Sequence, residues 1–294
     1  MKLLRDLVRV LLGYLGYRRT GRTSHRAYVA MRSLHTRTDG RFNDLWRALA
    51  HWTDPWQPQA SQGFLGTWSI AELQALAGTL ERDGIAVLDR RAPEALCRAL
   101  EDYARTTPSQ PMGLAAPELY AAATARALRY DFDMGALLTH PLTGPIARDE
   151  SLAAMAGAYF RSVPVFDFVT MWWTTPKGAR DHAGAAQQFH YDMDRPFFVK
   201  IFVYVTDVGD DNGPHVYVAG SHRRKPRPLR ADRRFEDAEV LAHYPRERLR
   251  RIVGPRGTVF IADTRGIHKG EPVREGERLV LQVEYALNQF GQHY

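Results

Sequence analysis

The 294-residue chain is poor in cysteine, in long apolar runs and in repeats. The lone cysteine, Cys97, excludes an internal disulfide framework and fits a reducing compartment. No uncharged apolar run approaches the roughly 20 residues that span a bilayer. The longest near the start, Val10–Tyr17, is eight residues, and Arg5, Asp6 and Arg9 interrupt the stretch before it. The same charges spoil it as a secretory signal. With no internal repeat and no low-complexity tract, a solenoid or a disordered chain is disfavoured. The expectation is a cytoplasmic globular protein.

What is present is a folding composition, 45% hydrophobic and 25% charged, with a net charge of +7. That charge is lumpy. Residues 1–50 carry eleven Lys and Arg against three Asp, and residues 223–256 carry twelve against five acids, so the remainder is acidic. A uniformly basic nucleic-acid binder is therefore disfavoured, and the basic tracts lack the stacked aromatics such a surface uses.

The first basic segment reads as an amphipathic helix. Lys2, Arg5, Asp6, Arg9 and Gly13 form a polar stripe, and Leu4, Leu7, Val8, Leu11, Leu12 and Leu15 fill the opposite side. Two readings stand: residues 1–17 lie on the inner membrane surface as a peripheral contact, or the stripe packs on its own domain or a second subunit. Apolar stripes ordinarily mean core, which favours packing. The Pro/Gln/Gly-rich stretch 51–68 punctuates a boundary, giving a basic helical extension (1–60) and a main domain (61–294).

Ser69 and Glu72 predict a capped helix over Ile70–Arg82, followed by a short strand at 85–88 and a helix over Pro93–Arg105. Beyond residue 164 the pattern turns to strands: Val165–Trp173, Phe197–Val205, His215–Ala219, Gly257–Ala262 and Arg278–Ala286, with shorter ones near 187–191 and 240–244. The fold expected is α+β with a mainly β core, a two-sheet barrel or jelly roll with flanking helices. In the last strand Arg278, Val280, Gln282 and Glu284 share one face, as for a ligand-holding lumen, and Leu279, Leu281, Val283 and Tyr285 the other.

His190-Tyr191-Asp192 is the only His-x-Asp, and with eleven histidines roughly one is expected by chance. Context gives it weight. It precedes a strand, His268 follows another, and Arg278 comes ten residues after His268. His and Asp at i and i+2 point to one side of an extended chain. Two imidazoles and a carboxylate on one face of an octahedral metal leave three open positions, the arrangement of non-haem Fe(II) oxygenases. Arg278 could then grip an acidic co-substrate through its guanidinium fork.

Over about residues 70–290 the chain resembles the phytanoyl-CoA dioxygenase-like family of Fe(II)/2-oxoglutarate oxygenases. The resemblance lies in QQFHYDMDRPFFVKIFVYVTDVGDDNGPHVYVAGSH (187–222), LERDGIAVLD (80–89) and GTVFIADTRGIHKG (257–270). It implies a double-stranded β-helix, catalytic iron held by His190, Asp192 and His268, 2-oxoglutarate on the iron with Arg278 at its distal carboxylate, and O₂ as oxidant. Asp192 argues for hydroxylation or another hydrogen-abstraction outcome, because halogenating relatives carry a small residue there. Desaturation, cyclisation, epimerisation and a non-catalytic cupin-like binding protein remain alternatives.

Gln188 and Trp172 are candidate co-substrate or substrate contacts. Lys200 either pairs with a co-substrate carboxylate or with an acid such as Asp207 or Glu284, or reaches solvent. Ser221 and His222 read as structural, and loop 176–186, with His182, as a lid. Lys177, Arg180, Arg195, Arg265 and Lys269 flank the motifs and suggest an anionic small-molecule, lipid- or glycan-linked substrate.

Overall fold

The structure is a computed structural model describing residues 1–176 and 186–292. The lid expected around His182, with Lys177 and Arg180, lies outside the described residues. Helices α1 (Lys2–Thr20), α2 (His25–Thr38) and α3 (Arg41–Thr53) come first. A hairpin, β1 (Ser61–Gly63) and β2 (Gly66–Trp68), leads into α4 (Ile70–Asp83), β3 (Ile85–Val87) and α5 (Glu94–Thr106). The Ser69–Glu72 capping box opens α4, and Gly84, at φ 77°, ends it. Then follow β4 (Pro108–Pro111), β5 (Glu118–Leu119), β6 (Arg129–Asp131), α6 (Met134–Thr139), α7 (Thr143–Ala147) and α8 (Glu150–Phe160).

The remaining strands are β7 (Val165–Thr174), β8 (Phe198–Tyr204), β9 (His215–Val218), β10 (Leu249–Ile252), β11 (Val259–Ala262), β12 (His268–Gly270) and β13 (Arg278–Ala286), with α9 (Asp237–Leu241) between β9 and β10. The segment 240–244, expected as a strand, is instead the end of α9 and the turn after it. The local cause is reciprocal capping between Glu236 and Glu239, which closes a helical turn. The strand of this stretch forms later, at β10.

Eight strands form one antiparallel sheet in the order β3-β11-β8-β13-β7-β6-β4-β5. A smaller sheet, β10-β9-β12, is continued by isolated bridges from His190 to His268 and from Phe189 to Phe235. Helices cover the outer face of the large sheet. There Leu279, Leu281, Val283 and Tyr285 join Val169, Met171 and Trp173 in one core with Leu73 and Leu80 of α4 and Leu152 and Met155 of α8. Each such aliphatic side chain contributes about 1.5–3 kcal/mol when buried. The opposite face of β13 turns Arg278, Val280 and Gln282 into the space between the sheets. The alternation expected from the sequence holds along the whole strand.

Helices α1–α3 share a second, smaller core in which Val10, Ala27, Ala30, Met31, Leu34 and Phe42 surround Phe290 from the far end of the chain. Polar contacts add to this docking. Asn43 donates to the Pro196 carbonyl, Arg32 pairs with Asp232 at 2.7 Å, and Lys225 N donates to Asp39 at 3.0 Å. The basic run at 223–230 thus meets the acids of the α2–α3 turn: Arg224 pairs with Asp44 at 3.0 Å and Arg230 with Asp39 at 3.1 Å.

Helix α1 turns the opposite way from its leucine pattern. Its buried residues are Asp6 and Val10, and Asp6 accepts a 2.7 Å hydrogen bond from Ser33 of α2. A Cβ on Gly13 would sit 2.2 Å from that of Ala27, so the two helices meet at the glycine. Leu4, Val8, Leu11, Leu12 and Leu15 face outward and are exposed.

Candidate metal centre

A cavity of about 660 Å³ opens between the two sheets, and His190, Asp192, His268 and Arg278 all line it. Period-two alternation delivers the first two. His190 and Asp192 point inward, and Phe189, Tyr191 and Met193 point outward into a core with Val216, Val218 and Phe235. The segment is tied to the strand carrying His268 by backbone alone: His190 N donates to His268 O at 2.9 Å, His268 N to His190 O at 2.8 Å, and Asp192 N to Thr264 O at 2.8 Å.

Gly266 and Ser221 hold the approach to His268. A side chain at 266 would run into the Tyr217 hydroxyl at 2.0 Å. The Ser221 hydroxyl donates to Val218 O at 2.6 Å and accepts from Ile267 N at 2.7 Å, which is the structural part its motif suggested. His222 packs against Gly84 and does not line the cavity.

The ligand atoms converge. Nε2 of His190 lies 3.5 Å from one Asp192 carboxylate oxygen and Nε2 of His268 lies 3.5 Å from the other. Each ring spends its Nδ1 on a carbonyl two residues back, Gln188 O for His190 and Gly266 O for His268, both at 2.9 Å. That fixes the tautomer with Nδ1–H as donor and leaves each Nε2 lone pair facing the centre. Burial, with His268 adjacent, pushes His190 down to about 3, and burial also lowers His268, so both rings are neutral at neutral pH. Asp192 is half-buried, and although desolvation opposes its charge, Lys200 and then the two imidazoles hold it below the usual carboxylate range. Two neutral imidazoles and an ionised carboxylate, all within 4.8 Å of one another, fit one face of a non-haem iron site.

Pairing register explains the surroundings. Arg278 stands opposite Thr174 on β7, and its Nη2 donates to the Thr174 hydroxyl at 3.2 Å. Its Nη1 donates to Gly213 O, and its Nε is buried without a partner among the described residues. Gly270 leaves the guanidinium room, since a Cβ there would stand 3.3 Å from Nη2. Lys200 stands opposite Glu284 and lies 2.8 Å from both Asp192 and Asp194 and 3.5 Å from Glu284. Of its two expected acid partners it takes Glu284, whereas Asp207 accepts from Arg256 N. Trp172 lines the cavity with the Arg129 guanidinium 4.3 Å over its ring. Gln188 is bonded to Glu236 at 2.7 Å and is not among the cavity residues.

Of the flanking cations expected to meet an anionic substrate, the three among the described residues are engaged elsewhere. Arg195 holds Asp167 in a bidentate pair at 2.6 and 2.7 Å, Arg265 holds Asp263 at 2.9 Å, and Lys269 bonds Asp237 at 2.7 Å. None lines the cavity. Among the described residues the cations that do, besides Arg278 and Lys200, are Arg129 and Arg234. Sequence proximity misled here because a buried arginine beside an aspartate satisfies itself locally.

Sequence reading also missed His215. It lies on β9, faces the cavity, stacks on His268 with centroids 5.3 Å apart, and its buried Nε2 has no partner among the described residues. The only available signal was its place three residues after Asn212 in the Asn-Gly-Pro-His turn, which reads as turn chemistry.

No curated protein matches the chain in sequence. Among solved structures, the non-heme alpha ketoglutarate dependent epimerase SnoN from nogalamycin biosynthesis is 17% identical with a TM-score of 0.52, over 73% of this chain and 83% of that one. HygX from Streptomyces hygroscopicus, with nickel and 2-oxoglutarate bound, is 16% identical with a TM-score of 0.49, over 72% and 86%. EctD from S. alaskensis with bound Fe is 16% identical with a TM-score of 0.49, over 72% and 75%. At such identity the likeness to SnoN concerns the fold alone, a jelly roll with flanking helices. The phytanoyl-CoA dioxygenase (PhyH) family model matches residues 80–278, from the end of α4 to the first residue of β13. With two thirds of its length matched, the chain belongs to that family of iron- and 2-oxoglutarate-dependent, O₂-using enzymes.

Proposed function

We propose that the chain hydroxylates a C–H bond of a small-molecule, lipid- or glycan-linked metabolite bearing an anionic group. The observation that carries the reading is the convergence of two neutral Nε2 atoms on an intact carboxylate, with Arg278 in the same cavity. His190, Asp192 and His268 would hold Fe(II). Bound iron, with 2-oxoglutarate and O₂, supplies the oxidant for C–H cleavage.

The chain's own groups do the rest. Arg278 pairs with the distal carboxylate of 2-oxoglutarate, and His215 offers its free ring nitrogen to the same co-substrate. Lys200 stays with Asp192, Asp194 and Glu284, where it keeps the ligand carboxylate ionised. Phe168, Met134 and Trp172 supply an apolar wall that excludes water from the substrate's reacting carbon; Arg234 faces its anionic group, and Arg129, although paired with Asp131 at 2.6 Å, lines the same cavity.

The test is product mass after incubation of the chain with Fe(II), 2-oxoglutarate and a metabolite extract. Gain of one oxygen supports hydroxylation. Succinate formed with loss of two hydrogens, or with no mass change, assigns desaturation, cyclisation or epimerisation. No substrate-linked succinate makes this a cupin-like binding protein. Loss of turnover in Arg129→Ala and Arg234→Ala, with 2-oxoglutarate affinity kept, supports an anionic substrate, and full turnover in both overturns it.

A further inference from the structure

We propose that α1 seats the chain on an anionic lipid bilayer through its outward leucine face. The orientation of the helix is set by its other side. Asp6 bonds Ser33, Val10 is buried, and Gly13 leaves no space against Ala27, so the leucines cannot turn inward without breaking these contacts. On the far side Leu4 is 68% exposed, Leu11 60%, Leu12 65% and Leu15 56%. With Val8 they form a continuous stripe at i, i+4, i+7, i+8 and i+11. No helix among the described residues is long and apolar enough to cross a membrane, so α1 would lie in the interface plane.

Charge chooses the occupant. Residues 1–38 contain nine Lys and Arg and one acid, Asp6, which is buried against α2 and lies 3.8 Å from Arg5 and 4.0 Å from Arg9, leaving a net positive surface. Arg5 and Arg9 flank the stripe along one side and Arg18 and Arg19 close its end, all exposed. A second copy laid face to face would bring arginines against arginines. An anionic bilayer offers hydrocarbon to the leucines and headgroup charge to the arginines, whose stems reach from one to the other. The inference stands apart from the iron chemistry, because neither the leucines nor the arginines touch the cavity.

The experiment is vesicle flotation of the full chain without added metal or 2-oxoglutarate. Vesicles of phosphatidylcholine mixed with phosphatidylglycerol are compared with phosphatidylcholine alone. Binding at least about tenfold stronger to the mixed vesicles, and weakening with salt, is expected. L11E/L12E should lose that binding with circular dichroism and thermal midpoint unchanged. R5E/R9E should weaken it and flatten the salt dependence. Equal binding by wild type and L11E/L12E overturns the proposal. So does failure to float with mixed vesicles, including the case where L11E/L12E abolishes a concentration-dependent dimer, which would assign the face to a second copy. Should L11E/L12E fold poorly, the milder L12Q, expected to bind several-fold more weakly, reads the same face.

Discussion

Strand β13 turns polar groups toward the space between the sheets and helix α1 turns them toward α2, and each element carries its leucines on the opposite face. On β13 the outward leucines lie beneath α4 and α8, and the inward Arg278, Gln282 and Glu284 line a cavity or oppose Lys200. On α1 nothing in the described structure covers Leu4, Leu11, Leu12 and Leu15, whereas Leu7 packs on the small core and the inward Asp6 and Gly13 meet a neighbouring helix. An apolar stripe therefore identifies a face that seeks cover without saying which side of the element faces the protein. In the strand the covering layer is part of the chain. In the helix it is not, and the contact that wins is the one where a glycine permits close approach.

The sharpest separation of the two regions comes from the proposed metal ligands. His190→Ala or His268→Ala should lower iron-dependent succinate formation by more than about 100-fold, while L11E/L12E leaves it unchanged in detergent-free buffer; comparable losses in both would mean the regions are not independent. Next comes the co-substrate grip. Arg278→Leu should raise the 2-oxoglutarate concentration for half-maximal binding by about 10–100-fold, the equivalent of losing a charge-assisted pair. His215→Leu should raise it by a smaller factor, read by calorimetry with a metal that does not turn over.

The helix comparison is tested by stability. Gly13→Leu should cost about 1–3 kcal/mol in urea unfolding by forcing α1 away from α2, whereas Leu12→Ser should stay within about 0.5 kcal/mol. A larger loss for Leu12→Ser would mean that the leucine face is the packed one.

A pH-dependent effect lies where the basic loop meets the arm. Burial, with Arg265 close by, depresses Lys225 to about 7 from its usual 10.5. Between these values the unfolded chain binds the extra proton, so stability should rise with pH from about 7 to 10 at up to about 1.4 kcal/mol per pH unit. Lys225→Met should flatten that slope, and an unaltered slope would place the titration elsewhere.

Much of the barrel is legible in residue order because its rules are local. Alternation assigns the two faces of β13, the i and i+2 spacing brings His190 and Asp192 to one side, and Ser69 with Glu72 marks the start of α4. What escapes is whatever a partner decides. Lys200 meets Glu284 across the β8–β13 pair and Asp192 and Asp194 from the segment before β8, Arg195 and Arg265 are neutralised by buried aspartates, and His215 is aimed by β9 into a site that sequence distance hides. The outward turn of α1 escapes for the same reason, since Gly13 matters only opposite Ala27.

The paired backbone bonds between His190 and His268 carry one more consequence. Two residues that exchange both amide bonds keep their Cα atoms about 5.5 Å apart whether or not an ion is present. Such a socket is finished before loading, so an arriving ion pays little to assemble it, and shape offers little means of refusing a guest of similar size. By the usual order of divalent affinities, nickel or copper would hold more tightly than ferrous iron. Which metal the chain carries is then a matter of supply, and metal content should follow the growth medium and the purification buffer more closely than any preference of the fold.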